Sequence, residues 1–171
     1  TKSKANRLES VGATIVEKPE EAVAESDVVI VMLSSGPVCD EMLLGPNGLL
    51  NAMQHDATLI VMSSIPVETA RRQAEEAAKS QINYFDAPVS GGERGAIDGT
   101  LAIMVGGDAV SFKAVEPILL SLGRPVYVGP AGSGELAKLA NQMIVANTIA
   151  TVAEAILLAE QGGANPERML S

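Results

Sequence analysis

Aromatic residues are nearly absent: the 171-residue chain holds two Phe, two Tyr and no Trp. A core, if there is one, is expected to be built from Ala, Val, Ile, Leu and Met. Hydrophobic residues make up 47% and charged residues 19%, a globular composition rather than a disordered one. Cysteine occurs once, as Cys39, which excludes an intramolecular disulfide and suits a reducing compartment. The cytoplasm is expected, or the mitochondrion were the source eukaryotic. Histidine also occurs once, as His55, in a polar connection where it reads as a surface residue without a role. One His, one Cys and no clustered ligand spacing leave a metal site without support. Cys39 has no further histidine to activate it and reads as packing. Basic residues are few, 12 Lys and Arg against 21 Asp and Glu, a net charge of −9. That argues against nucleic acid as a partner, because phosphate binding needs a basic face. It leaves room for a small anion held at a local site. No apolar run reads as a membrane span, so no membrane partner is expected, and the start shows no signal-peptide pattern.

What the chain does have is alternation. Short apolar runs at 27–33, 58–62, 82–86, 101–107 and 125–128 read as strands, with a short one at 14–16. Helical patterns lie at 3–11, 19–25, 38–44, 66–80 and 108–122, with Pro66 placed as a first-turn proline. Strands alternating with helices predict an α/β chain with a doubly wound, Rossmann-type sheet. The continuous apolar runs fit strands buried on both faces. Ligands in such sheets sit at the carboxyl ends of the strands. Met32, Leu33, Ser63, Ser64 and residues 87–92 occupy such ends.

The last third changes character. Residues 135–161 contain no proline or glycine and are apolar nearly all round. They predict one helix of roughly 40 Å at 1.5 Å per residue, buried on several sides. Gly162 and Gly163 end it, and Asn165, Pro166 and Glu167 open another helix. The division expected is a partial dinucleotide-binding α/β domain over 1–132, then the long helix and the start of an all-α domain over 133–171. More protein, or a partner chain, is expected to cover the helix, which points to a homodimer or homotetramer of the full-length protein. No G-x-G-x-x-G precedes Asp27, so the first βαβ portion is expected to be missing. Without it the 171 residues alone are expected to bind nicotinamide cofactor weakly.

The chemistry concentrates in two motifs. Asp86-Ala87-Pro88-Val89-Ser90-Gly91-Gly92 reads as a strand end turning into a glycine-rich loop. Such a loop can aim backbone N–H groups at an anion. Gly132-Ser133-Gly134 then opens the long helix, with Lys138 a turn inside it and Asn141 a turn further on. An anion cradle beside a single lysine reads as a site for a small acid that gains or loses a proton.

These motifs, together with Gly99-Thr100-Leu101 and Gly106-Gly107-Asp108, resemble the β-hydroxyacid dehydrogenase family over almost the whole chain. Within it the stretch 90–100 is most similar to the tartronate semialdehyde reductase (2-hydroxy-3-oxopropionate reductase) type, beside 3-hydroxyisobutyrate dehydrogenases. The resemblance implies hydride transfer between NAD or NADP and a small carboxylate substrate. It makes Lys138 the general acid and base, supported by Asn141. It places Ser90, Gly91 and Gly92 on the substrate carboxylate. Some relatives carry the asparagine one position later, where this chain has Gln142, so that residue is a second substrate-binding candidate. Met32, Leu33 and Ser63 match cofactor-lining positions. Val61 departs from the pattern, since many relatives have aspartate there. Two other readings stay open: a non-catalytic scaffold of the same fold, which Lys138 and the acidic charge disfavour, and an imine or other semialdehyde reductase.

Overall fold

The computed structural model of the chain describes residues 5–169. A 3₁₀ turn, Asn6–Val11, is followed by helix α1 (Pro19–Val23), strand β1 (Val28–Val31), helix α2 (Gly36–Leu44) and a second 3₁₀ turn, Leu49–Asn51. Strand β2 (Thr58–Val61), helix α3 (Val67–Lys79), strand β3 (Asn83–Asp86), strand β4 (Val89–Ser90) and helix α4 (Gly92–Ile97) come next. Strand β5 (Leu101–Gly107), helix α5 (Ala109–Leu120), strand β6 (Gly123–Gly129), helix α6 (Ser133–Gln161) and helix α7 (Pro166–Met169) complete the order.

The expected α/β sheet is present, and its second half reverses direction. β1, β2 and β3 run parallel, with Val29 beside Leu59 and Leu59 beside Tyr84. β5 then returns antiparallel to β3, pairing Asp86 with Gly106. β4 continues the line of β3 on the same neighbour, pairing Ser90 with Ala102. β6 lies parallel to β5. An antiparallel return needs no helical crossover, and the segment between β4 and β5 has room only for the six-residue α4.

β2 obeys the both-faces rule. Leu59 and Val61 face one core with Cys39, Leu43, Ala70 and Ala77. Ile60 and Met62 face the other with Phe85, Ile103, Val115 and Leu119. β1 does not, because Ile30 is 42% exposed at the sheet edge. Cys39 is fully buried, as packing requires, and His55 is exposed. A polar chain crosses the first core. Tyr84 Oη donates to Gln73 Oε1 at 3.1 Å, Gln73 Nε2 donates to Asp40 Oδ1 at 2.9 Å, and Asp40 pairs with Arg72.

Four local expectations fail. Residues 14–16 form no strand: only Ile15 is even half-buried, so the segment has no apolar face to seat against β1. The described part of the helix expected at 3–11 is a 3₁₀ turn with no buried residue; Ser3 and Lys4 lie outside the described residues. Pro66 is the N-cap of α3 rather than its first residue. α4 forms where the pattern predicts only a loop, entered through Gly91 at φ 137° and Gly92 at φ 61°.

The largest departure is α6. Only Gly134 and Glu135 are buried along its 29 residues. Leu136, Leu139, Met143, Ile144 and Ile149 are all exposed, and Leu158 is 74% exposed. Burial on several sides is thus not supplied by the described residues. An all-apolar surface states that something is covered without saying what covers it. α6 is also long and apolar enough to cross a membrane by length and composition, with a mean hydropathy of 1.6 in its best window. That corrects the expectation that no apolar run reaches the length of a membrane span.

Candidate active site

The carboxyl ends of β1 and β2 are tied by a backbone bond from Met62 N–H to the Val31 carbonyl and by one to a side chain. The Leu33 N–H donates to Ser63 Oγ at 2.6 Å. Ser63 is buried, so its hydroxyl holds the two strand ends together. Met32, beside it, is 63% exposed at the edge, and Leu33 is half-buried.

The end of β3 supplies the next anchor. Asp86 is fully buried, and its carboxylate reaches the start of α6. Gly132 N–H donates to Oδ1 at 2.7 Å and Glu135 N–H to Oδ2 at 2.9 Å. The first N–H groups of a helix have no partner within it, and here a strand residue from 46 positions earlier accepts from them. The glycines explain how the helix comes so close. A Cβ on Gly134 would lie 2.5 Å from the Asp86 carbonyl oxygen and against the Met104 carbonyl. A Cβ on Gly106 would lie 2.6 Å from Asp86 Oδ1. Burial pushes the Asp86 carboxyl above the usual carboxylate range, and the backbone amides of Gly132 and Glu135 oppose that.

α6 rising from this anchor forms one wall of a cleft of about 320 Å³; the turn at 64–67 forms the other. Glu135, Lys138, Leu139 and Gln142 line the α6 side. Lys138 is half-buried. Asn141 is half-buried and its Nδ2 donates to Gln142 Oε1 at 3.4 Å. Of this amide pair Gln142, not Asn141, forms part of the cleft wall. A larger cleft, of about 400 Å³ beside Pro19, Val38 and Asn47, holds none of the expected site residues.

Glu135 is a site residue that the sequence pattern does not mark. It is 3% exposed, and its Oε1 has no hydrogen-bond partner. Burial pushes its carboxyl up to about 7, helped by the Asp86 charge; the Ile65 backbone and the Lys138 ammonium act against the rise. In the sequence, an acidic residue in a first helical turn reads only as a complement to the helix dipole. Its burial has a consequence for stability. An unfolded Glu titrates near 4.5 and this one near 7 when folded. The contribution is therefore complete below about pH 4.5 and lost as pH rises through about 7. The loss is about 3 kcal/mol at 1.36 kcal/mol per unit. We expect Glu135→Gln to gain stability relative to wild type between pH 5 and pH 8, as measured by urea unfolding at both.

Ser90, Gly91 and Gly92 sit at the end of β4 and the start of α4, with Ser90 half-buried and both glycines exposed. They are not part of the wall that carries Lys138. The two features share β5: Met104 N–H donates to the Pro88 carbonyl at 3.1 Å, and its carbonyl lies against Gly134. A single strand residue thus supports both the turn and the helix start.

Residues 1–129 match the family model described as the NAD binding domain of 6-phosphogluconate dehydrogenase. Residues 132–171 match the one described as the NAD-binding region of NADP-dependent 3-hydroxyisobutyrate dehydrogenase. The 2-hydroxy-3-oxopropionate reductase of Escherichia coli is 44% identical over 167 residues, covering 96% of this chain and 57% of the relative. The 2-(hydroxymethyl)glutarate dehydrogenase of Eubacterium barkeri is 35% identical over 159 residues, 92% of this chain and 53% of the relative. The structure of Mycobacterium tuberculosis 3-hydroxyisobutyrate dehydrogenase with L-serine superimposes with a TM-score of 0.90 at 36% identity, covering 96% of this chain and 56% of that one. An imine reductase from Myxococcus stipitatus, 21% identical with a TM-score of 0.88 over 98% of this chain and 57% of that one, shares the fold. The chain spans a little over half the length of these relatives. By its motifs, its sheet and both family models, the chain belongs to the β-hydroxyacid dehydrogenase family and carries NAD-binding regions of it.

Proposed function

We propose that the protein transfers a hydride between NAD(P) and a small β-hydroxy acid or its semialdehyde, with Lys138 as general acid and base. The observation that carries this is Lys138 itself, half-buried in a cleft at the carboxyl edge of the sheet, on a helix whose start is pinned by Asp86. When bound, NAD(P) supplies or accepts the hydride. Met32 and Leu33 would hold it, at strand ends that leave Met32 open to a ligand, and the buried Ser63 would act through its bond to Leu33. In reduction the ammonium gives a proton to the carbonyl oxygen; in oxidation the amine takes one from the hydroxyl. The turn at 90–92 receives the substrate carboxylate on backbone N–H groups, since two exposed glycines there let an anion approach the main chain. Gln142 or Asn141 holds the substrate oxygen. The Mycobacterium tuberculosis relative was solved with L-serine, itself a β-hydroxy acid, which supports that substrate class.

The domain assignment belongs to the same reading: residues 1–132 serve the cofactor, and α6 passes from it to helical structure that pairs two or four copies. The exposed apolar length of α6 supports that pairing.

The test is an assay of the complete protein with NAD and NADP against tartronate semialdehyde, 3-hydroxyisobutyrate and succinic semialdehyde. We expect turnover with at least one of the first two. Absence of turnover with all three, while a cyclic imine is reduced, overturns the proposal in favour of an imine reductase.

A further inference from the structure

We propose that Glu135 is the proton store of Lys138: a buried carboxyl, one helical turn before the amine and in the same cleft, that resupplies the proton Lys138 gives up. The inference rests on the reading of Lys138 as the acid and base, and extends it to a residue which that reading does not use.

The placement argues for it. Residues three apart on a helix are neighbours on its surface, and Glu135 and Lys138 both line the α6 wall of the cleft. Glu135 Oε1 is buried without a hydrogen-bond partner. A buried polar oxygen left unpaired is destabilising, so natural sequences seldom keep one without a use. Here the Glu135 backbone N–H is committed to Asp86 and the Ile65 backbone bonds its carboxyl, while Oε1 is left without a partner.

The charged surroundings favour a neutral carboxyl that can become charged. From β3, Asp86 faces Glu135 and disfavours a second negative charge nearby; Tyr84 on the same strand also feels the Glu135 charge. From α6, Lys138 favours the carboxylate. From the 64–67 turn only the Ile65 backbone acts on it. From α3, Arg71 lies against Gly132 at the helix start and is paired with Glu68. The balance leaves Glu135 titrating at about 7, where it can hold or release a proton.

The step balances. In reduction, an N–H bond of the Lys138 ammonium breaks as the substrate oxygen gains its proton. Through water in the cleft, the O–H bond of Glu135 then breaks and a new N–H bond forms on Lys138, leaving a carboxylate and an ammonium on the same wall. Hydronium from bulk solvent, reaching the cleft through water, returns a proton to Glu135 and leaves a water molecule. Oxidation runs the same transfers backwards.

The test uses the complete protein with 13C-labelled glutamate carboxyls, and the variants Glu135→Gln and Lys138→Ala. We expect one carboxyl signal, lost in Glu135→Gln, to titrate near pH 7 and to move to higher pH in Lys138→Ala. We expect the pH profile of kcat for reduction to fall above about pH 7 in wild type and to lose that limb in Glu135→Gln. At pH 6 the variant should lose roughly tenfold in kcat with KM within about twofold, less than the 10²–10⁴ of direct proton transfer. A Glu135 signal in the ordinary carboxylate range, or one indifferent to Lys138→Ala, overturns the proposal. So does an unchanged pH profile in an active Glu135→Gln protein. A coupled Glu135 signal in a protein that turns over no hydroxy acid or semialdehyde instead overturns the functional reading and leaves the coupling standing.

Discussion

Replacing Lys138 with alanine should lower turnover of the complete protein by roughly 10²–10⁴, the scale that one positioned proton donor contributes. The fold should survive, because Lys138 is half-buried and lines a cleft rather than filling a core. The split between constants is informative. If Lys138 moves a proton, kcat falls and KM changes little, because the lost interaction belongs to the transition state. If it only attracts a carboxylate, KM rises and kcat holds. Near-wild-type turnover in Lys138→Ala removes the acid–base role altogether. Small amines added to the variant should restore part of the rate if the missing part is a proton carrier.

Asp86→Ala should be the most damaging single change to the fold near the site. Its carboxylate accepts from Gly132 N–H at 2.7 Å and Glu135 N–H at 2.9 Å, both buried. Each buried donor left unpaired is destabilising by about 1–3 kcal/mol. Against this, removing a desolvated carboxylate relieves a burial penalty, as its raised titration shows. The net loss should be about 3 kcal/mol, read from urea unfolding. Asp86→Asn keeps one acceptor but turns an amide N–H toward a backbone N–H, so it should fall between alanine and wild type. Activity of Asp86→Asn should drop more than its stability suggests, since the same bonds hold the turn of α6 that carries Lys138. Equal unfolding midpoints for Asp86→Ala and wild type would show that the helix start is held by something other than this carboxylate.

Much of the architecture is legible in the sequence because it is periodic. β5 runs over the residues its apolar pattern marks, and Asp108 at the start of α5 accepts from Val110 and Ser111 as an N-cap should. The reversal of β5 is not legible: its apolar run is the same whichever way the strand points, and direction is set by register with Asp86 and Val89. β4 is two residues long, too short for any period. Lys138 stands out through the motif around it. Asp86 stands out as part of a motif, but its task is invisible in the linear chain, because its partners lie 46 and 49 residues further on. Glu135 is hidden by its commonplace position; nothing in its neighbours shows that a strand and a turn close over it. The bareness of α6 is unreadable for the opposite reason, since apolar residues on every side announce burial without naming the surface.

Because the first turn of α6 is clamped to β3 and β5, whatever packs along the rest of the helix acts on a rod held firmly at one end. Its 29 residues make a rod of about 44 Å at 1.5 Å per residue. Lys138 sits close to the fixed end. A displacement of the far end shrinks to a small fraction of itself at the amine, which therefore keeps its station against the strand ends however that end is loaded.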